Sequence, residues 1–329
     1  MKIAVFSTKA YDKDYLERYN TFGFKLTFYK VRLTEETAHF AKGHDAVCVF
    51  VNDQITAEVL EILKEDGVQM IALRCAGFNN VDLEKAMELK MPVLRVPAYS
   101  PHAVAEHALA LILTLNRKTH KAYNRVRDMN FSLERLEGFD LYNKTVGVIG
   151  TGIIGSVFAK VVKSFGCRVI AFDVKENEEL TAMGVEYASL EDLLPQCDIV
   201  SLHCPLLPST YHLINKETLK LMKPGSMLIN TSRGALVNTK HVIKALKSRH
   251  LGYLGMDVYE MEDKLFFRNL SEKIIEDDQI ARLLAFPNVL ITAHQAFFTD
   301  EALTQISKTT LNNVNEFANH LPLTNQVTF

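Results

Sequence analysis

"TVGVIGTGIIGSVFAKVVKSFGCRVIAFD", residues 145–173, decides the fold, because it reads in order as strand, tight turn, helix, strand and acid. Gly150, Gly152 and Gly155 make G-x-G-x-x-G directly after the apolar run and directly before the helical one. The first glycine permits the tight turn, the second lets the backbone approach a pyrophosphate, and the third lets helix and strand pack closely. The next strand ends in Asp173, eighteen residues beyond Gly155. A carboxylate there can accept hydrogen bonds from an adenine-ribose diol and repels a 2′-phosphate, so the motif in this context points to NAD rather than NADP.

Such a turn usually opens a dinucleotide-binding chain, yet here it lies near the middle of 329 residues. Outward from it, short β-rich runs alternate with helix-period segments in both directions. Before it come "KIAVFS", "FKLTFY", "AVCVFV", "MIALRC" and "VLRV"; after it come "VEYA", "DIVSLHC", "MLINTS", "LGYLGMDV" and "VLITA". Continuous apolar character without strict alternation fits strands buried on both faces, and the rhythm predicts two doubly wound α/β domains with parallel sheets. The glycine turn opens the second domain, and a separate domain of about 100 residues precedes it. Between them, "YSPHAVAEHALALILTLNRKTHKAYNRVRD" offers a capping Ser100 and Pro101 at the first helical position, which predicts one long helix of about seven turns. Periodicity leaves open which domain receives the last helical segment, "DEALTQISKTTLNNVNEFANHL".

Composition narrows the function classes. Thirty-seven basic against thirty-nine acidic residues give a formal charge of -2, with no like-charge block suited to nucleic acid or an anionic membrane. The first segment turns polar too early for a signal-peptide core, and no apolar run approaches the ~18 residues that span a bilayer. These features predict a cytoplasmic protein. Cys48, Cys75, Cys167, Cys197 and Cys204 form no CxxC pair, so reduced buried thiols are expected and no metal site is.

In an open parallel sheet, ligands gather beyond the carboxyl ends of the strands. Four runs end in polar chemistry: His203, Cys204 and Pro205 after "DIVSL"; Thr231, Ser232 and Arg233 after "MLIN"; Asp257, Glu260 and Glu262 after "LGYLGM"; His294 after "VLITA". Arg233 suits a small carboxylate through its planar fork, or else an ordinary ion pair with a nearby acid. His294 becomes a proton donor if a glutamate holds one ring nitrogen and favours the imidazolium, and Glu262 is the candidate partner. His203 either lines the cofactor pocket or caps a strand. "HAVAEH", with His102, Glu106 and His107, matches no zinc motif and reads as helix surface and inter-domain packing.

Taken together, "FVND", "ALRCAGFNNVDL", "VPAYSPHAVAEHA", "VGVIGTGIIG", "SLHCPL", "NTSRGALV", "GMDVYE" and "TAHQAF" resemble, in order and over essentially the whole chain, the D-isomer-specific 2-hydroxyacid dehydrogenase family. The resemblance implies a Rossmann NAD-binding domain over residues 101–297, inserted into a flavodoxin-like substrate-binding (catalytic) domain of residues 1–100 plus 298–329. It implies that the site lies in the cleft between them.

By the same resemblance Arg233 binds the substrate carboxylate and polarises its keto group, Glu262 pairs with the catalytic base, and His294 is the proton donor and acceptor. Glu260 competes with Glu262, which has the family's spacing of 29 residues after Arg233 and 32 before His294. Ile153, Ile154, Asp173, Cys204, Pro205, Thr210, Thr231, Ser232, Arg233 and Asp257 are implied to contact NAD. Thr210 stands where relatives commonly have asparagine. Ala76 and Gly77 match the loop whose N–H groups hold the substrate carboxylate, and Tyr99 and Phe297 match residues lining the substrate pocket.

The fuller set is similar to the branch that reversibly reduces pyruvate to D-lactate by hydride transfer to C2, with His294 protonating the alkoxide and Arg233 stabilising its charge. A sister enzyme for a bulkier 2-oxo acid and a non-catalytic NAD-sensing protein are the alternatives. A homodimer or homotetramer is implied by resemblance alone.

Overall fold

The computed structural model describes residues 1–262 and 265–328. It divides into two compact units, one of residues 1–100 with 298–329 and one of residues 101–297. In the first, β1 (Lys2–Val5), α1 (Ala10–Tyr19), β2 (Lys25–Phe28), β3 (Ala46–Val49), α2 (Ala57–Glu65), β4 (Met70–Leu73), α3 (Leu83–Glu88) and β5 (Val93–Leu94) alternate as the apolar runs predict. The five strands pair in parallel in the order β2-β1-β3-β4-β5, the flavodoxin-like order. β3 and β4 are buried at every position, which is why their sequences are unbroken apolar runs.

The second unit begins with α4 (Pro101–Arg117) and α5 (Thr119–Arg127). It continues through β6 (Thr145–Ile149), α6 (Ile153–Ser164), β7 (Arg168–Phe172), α7 (Glu178–Ala182), β8 (Glu186–Tyr187), α8 (Leu190–Leu193) and β9 (Ile199–Leu202). Then follow α9 (Lys216–Leu221), β10 (Ser226–Asn230), α10 (Thr239–Lys247), β11 (Leu251–Met256), α11 (Asp278–Ala285) and β12 (Val289–Ile291). The sheet order is β12-β11-β10-β9-β6-β7-β8, and every pairing is parallel. The order reverses between β6 and β9, so the carboxyl ends on either side of that point open a crevice on one edge of the sheet.

The single long helix expected after Ser100 is two helices. Lys118 adopts the left-handed conformation, with φ 51°, and separates α4 from α5. The reason is visible in burial. Leu111, Ile112 and Leu115 of α4 are buried in the core with β6 and α6, whereas α5 buries none of its residues. Core packing therefore ends where the apolar repeat ends, and nothing extends the helix through the polar stretch beyond it.

The last helix, α12 (Asp300–Ala318), belongs to the first unit, where Leu311 and Val314 join a core with Ile3, Met70 and Leu94. Among the described residues no helix is long and apolar enough to cross a membrane.

Candidate active site

The glycine turn is shaped by close approaches that only hydrogen tolerates. A Cβ on Gly155 would lie 1.8 Å from the Gly150 carbonyl oxygen, and one on Gly150, which has φ 94°, would lie 2.5 Å from the Cys204 nitrogen. A Cβ on Gly152 would meet nothing within 4 Å, so open space lies beside the N-terminus of α6, where a pyrophosphate would sit. Ile153 is exposed at the same helix start and Ile154 partly so.

Asp173 stands against this turn. Its Oδ2 accepts from the Thr151 N–H at 2.5 Å and from the Thr151 hydroxyl at 3.1 Å, and Tyr187 donates to that hydroxyl at 3.0 Å. At the end of β10, Thr231 Oγ1 is buried with no hydrogen-bond partner among the described residues. An orphaned buried hydroxyl and an open glycine cradle on one sheet edge fit a dinucleotide, which would supply polar atoms to both.

The neighbouring loops are braced from within. Ser232 Oγ donates to the Cys204 carbonyl at 2.7 Å, and Thr210 Oγ1 donates to the Pro205 carbonyl at 2.7 Å. His203 donates its N–H to Ile149, its Nε2 lies 2.9 Å from Ser201 Oγ, and its ring packs 4.7 Å from that of Phe158. Although the residue as a whole is only partly buried, desolvation of that ring pushes its pKa down to about 3, so the imidazole is neutral at physiological pH.

Glu262 and Glu260, two residues apart, serve different histidines. Glu262 Oε1 lies 2.8 Å from His294 Nδ1, and its Oε2 accepts from the Tyr259 N–H at 2.9 Å. Glu260 Oε1 lies 2.6 Å from His212 Nε2 instead. Both members of the Glu262–His294 pair keep some solvent contact, with side chains 20% and 18% exposed, so the second ring nitrogen can reach a ligand. Phe267 packs 5.9 Å from the imidazole, and Phe297 is buried three residues further along.

Asp257 fixes the loop that carries His294. Fully buried, it accepts from the Thr292 hydroxyl at 2.5 Å and from the Gln295 and Ala296 N–H groups at 2.9 and 2.8 Å, while its carbonyl accepts from the His294 N–H at 2.7 Å. His294 is thereby held at φ 54°, a conformation that costs a non-glycine residue energy and persists only when its neighbours enforce it. Burial pushes the Asp257 carboxyl up, but hydrogen bonds from His107, Thr292, Ala296 and Gln295 outweigh it and hold the group below the usual carboxylate range.

His107, expected to serve helix surface and inter-domain packing, instead reaches this network. Its Nε2 lies 3.0 Å from Thr292 Oγ1 and 3.5 Å from Asp257 Oδ1. No spacing rule reveals this, because the contact spans 185 positions of the chain.

Arg233 follows β10 and donates from Nη1 to the Ser232 carbonyl at 2.8 Å. Among the described residues no carboxylate pairs with it. The ordinary ion pair that competed with the clamp is therefore missing from that set, and the guanidinium keeps donors for a ligand. A Cβ on the adjacent Gly234 would lie 2.1 Å from the Tyr259 carbonyl carbon, so the Arg233 turn presses on the same segment that holds Glu262. In the first unit, Ala76 and Gly77 have their carbonyls engaged by Arg95 and Cys75, while their N–H groups meet no protein acceptor among the described residues. Tyr99 is half-buried in that unit.

A parallel sheet of this order, with a glycine cradle at its switch point and an arginine and a histidine–glutamate pair at the same strand ends, defines a nicotinamide-dependent dehydrogenase. Residues 109–296 match the family described as D-isomer specific 2-hydroxyacid dehydrogenase, NAD binding domain, and the chain belongs to that family. Its cofactor is NAD.

The chain is 56% identical to the D-lactate dehydrogenase of Escherichia coli over 95% of its own length and 96% of that protein's. It is 52% identical to D-lactate dehydrogenase kk1H of Curvularia clavata, over 99% of this chain and 94% of the relative. The solved apo-structure of E. coli D-lactate dehydrogenase superposes with a TM-score of 0.92 at 52% identity, covering 100% of both chains.

Proposed function

We propose that this protein is an NAD-dependent D-lactate dehydrogenase that reversibly reduces pyruvate to D-lactate. The observation that carries the reading is the Glu262–His294 pair, 2.8 Å apart and seated on a loop that Asp257 holds rigid. Glu262 anchors Nδ1 and orients the ring, which leaves Nε2 to deliver a proton to the C2 oxygen as it becomes an alkoxide. Arg233, with no carboxylate partner among the described residues, holds the substrate carboxylate and stabilises the charge growing on that oxygen. Ala76, Gly77, Tyr99 and Phe297 are assigned to substrate binding by their match to the family's motifs.

NADH, when bound, supplies the hydride. Gly150, Gly152, Gly155 and the start of α6 with Ile153 and Ile154 take its pyrophosphate, Asp173 its adenine ribose, and Thr231 one of its polar groups. Cys204, Pro205, Thr210 and Ser232 form the braced wall around it. His203 is a neutral wall residue there, and Asp257 acts through the loop it shapes.

Two further assignments rest on which side chains are exposed and which are buried. Tyr123, Val126, Met129, Phe131 and Leu133 are all strongly exposed on and just after α5, an apolar arm that a second copy of the chain would cover in a homodimer or homotetramer. Five free, buried cysteines suit the reducing cytoplasm.

The decisive experiment follows NADH oxidation with pyruvate and with 2-oxo acids of increasing side-chain size, then determines the chirality of the product. Fastest turnover with pyruvate and D-lactate as product are expected. A clear preference for a larger 2-oxo acid would reassign the substrate, and NADH binding without turnover would make the protein a sensor.

A further inference from the structure

A second histidine–carboxylate pair lies beside the proposed catalytic one and has no part in the chemistry derived so far. His212 Nε2 is 2.6 Å from Glu260 Oε1, and Asn238 Nδ2 lies 3.2 Å from His212 Nδ1. With the amide donating to Nδ1, the Nε2–H donates to the carboxylate. Tyr211 stacks on the imidazole at 4.0 Å between centroids. His212 also sits at φ 50°, so the surrounding contacts hold it in a conformation it would otherwise leave.

The pair adds a side-chain link among three segments that the backbone already brings side by side. From the first, which follows Cys204, the His212 N–H donates to the Ala235 carbonyl at 2.8 Å, and the Ile214 N–H donates to Leu236 at 2.9 Å. From the second, which carries Arg233, the Thr239 N–H donates to Glu260 Oε2 at 3.1 Å. The third is Tyr259–Glu262 itself, on which Gly234 presses and whose Tyr259 N–H holds Glu262. Burial pushes the Glu260 carboxyl up, yet the hydrogen bonds from His212 and Thr239 prevail and hold it below the usual range, as a charged acceptor requires.

We propose that His212 and Glu260 are positioning residues of the reaction: their pair locks the Arg233 turn to the segment carrying Glu262, and so fixes the guanidinium relative to the Glu262–His294 pair. The inference rests on the functional reading above, in which Arg233 clamps the substrate and His294 moves the proton. Neither residue touches substrate. Their contribution is geometric, and a displacement of about 1 Å in a clamp costs up to about a hundredfold in rate.

The test compares H212L, H212Q and E260Q with the native full-length chain in pyruvate KM, kcat, NADH dissociation constant and Tm. H212L is expected to raise the pyruvate KM about tenfold or more, with NADH binding changed by less than about threefold. Glutamine can still donate to Glu260, so H212Q should recover much of that loss. E260Q keeps the shape and the Thr239 contact but loses the charge, and should give a smaller rise in KM. Combining H212L with E260Q should cost little beyond H212L alone, as expected for one coupled unit.

Unchanged KM in both H212L and E260Q would overturn the proposal. So would a loss of NADH binding equal to the rise in KM, which marks a general structural role. If H212L does not fold, E260Q and H212Q decide alone by the same criteria. A native chain with no 2-oxo acid turnover would overturn the functional reading and this inference with it, whereas an active native chain with indifferent variants overturns only the inference.

Discussion

His294 Nδ1 lies 2.8 Å from Glu262 Oε1, although 32 positions of chain separate them and another glutamate, Glu260, stands two residues nearer the strand. The arrangement comes from the strand ends. β11 leads into the Glu262 segment and β12 into the His294 loop, and Met256 faces Ile291 where the two strands pair. Asp257, the next residue, then seizes Gln295 and Ala296 and turns the imidazole toward Glu262.

Replacing His294 with Gln removes the proton donor but little volume. Turnover should fall by about 10²–10⁴, the usual contribution of a general acid, with the NADH dissociation constant within about threefold. Steady-state kinetics with fluorescence titration of NADH checks both, and equal losses would count against proton transfer. Glu262→Gln keeps a hydrogen-bonding atom near Nδ1 but removes the charge, so its loss should be smaller than that of His294→Gln.

Arg233→Gln should raise the pyruvate KM by about a hundredfold, corresponding to the ~1.5–3 kcal/mol of a hydrogen bond to a charged group. Arg233→Lys should not restore it, because a point charge cannot reproduce the planar fork. Initial rates over a wide pyruvate range decide this, and an unaltered KM would remove the clamp.

Asp173→Ala should narrow the preference for NADH over NADPH, read as the ratio of kcat/KM values. It also frees the Thr151 N–H and hydroxyl, so a modest drop in Tm is expected with it. An unchanged cofactor ratio would reject the ribose contact.

Acid should weaken the fold in part through His203. Its pKa falls from 6.5 to about 3 on folding, so below pH 6.5 the unfolded chain binds a proton that the folded chain refuses. Stability is then present above the unfolded value and declines by about 1.4 kcal/mol per pH unit as pH drops toward the folded one. Urea unfolding at pH 7, 6 and 5 measures the slope, and His203→Gln should flatten it.

Gly155→Ala should abolish stable folding of the nucleotide unit or shift the α6 start, since its methyl would lie 1.8 Å from the Gly150 oxygen. Far less is expected of Gly152→Ala in the absence of cofactor, because that Cβ meets open space. NADH affinity of Gly152→Ala should nevertheless fall, and Tm measured with and without NADH separates the two effects.

The sequence by itself determined both sheets and the chemical types at their edges. Strands buried on both faces must be continuous apolar runs, and a dinucleotide turn must carry glycines where backbone meets backbone, so "TVGVIGTGIIG" and its neighbours are legible without coordinates. The break at Lys118, the reach of His107 to Thr292 and the pairing of Glu260 with His212 were decided only by tertiary structure. Each depends on contacts between residues far apart along the chain, which local periodicity cannot encode because a side chain's partner is chosen by the packing of whole elements.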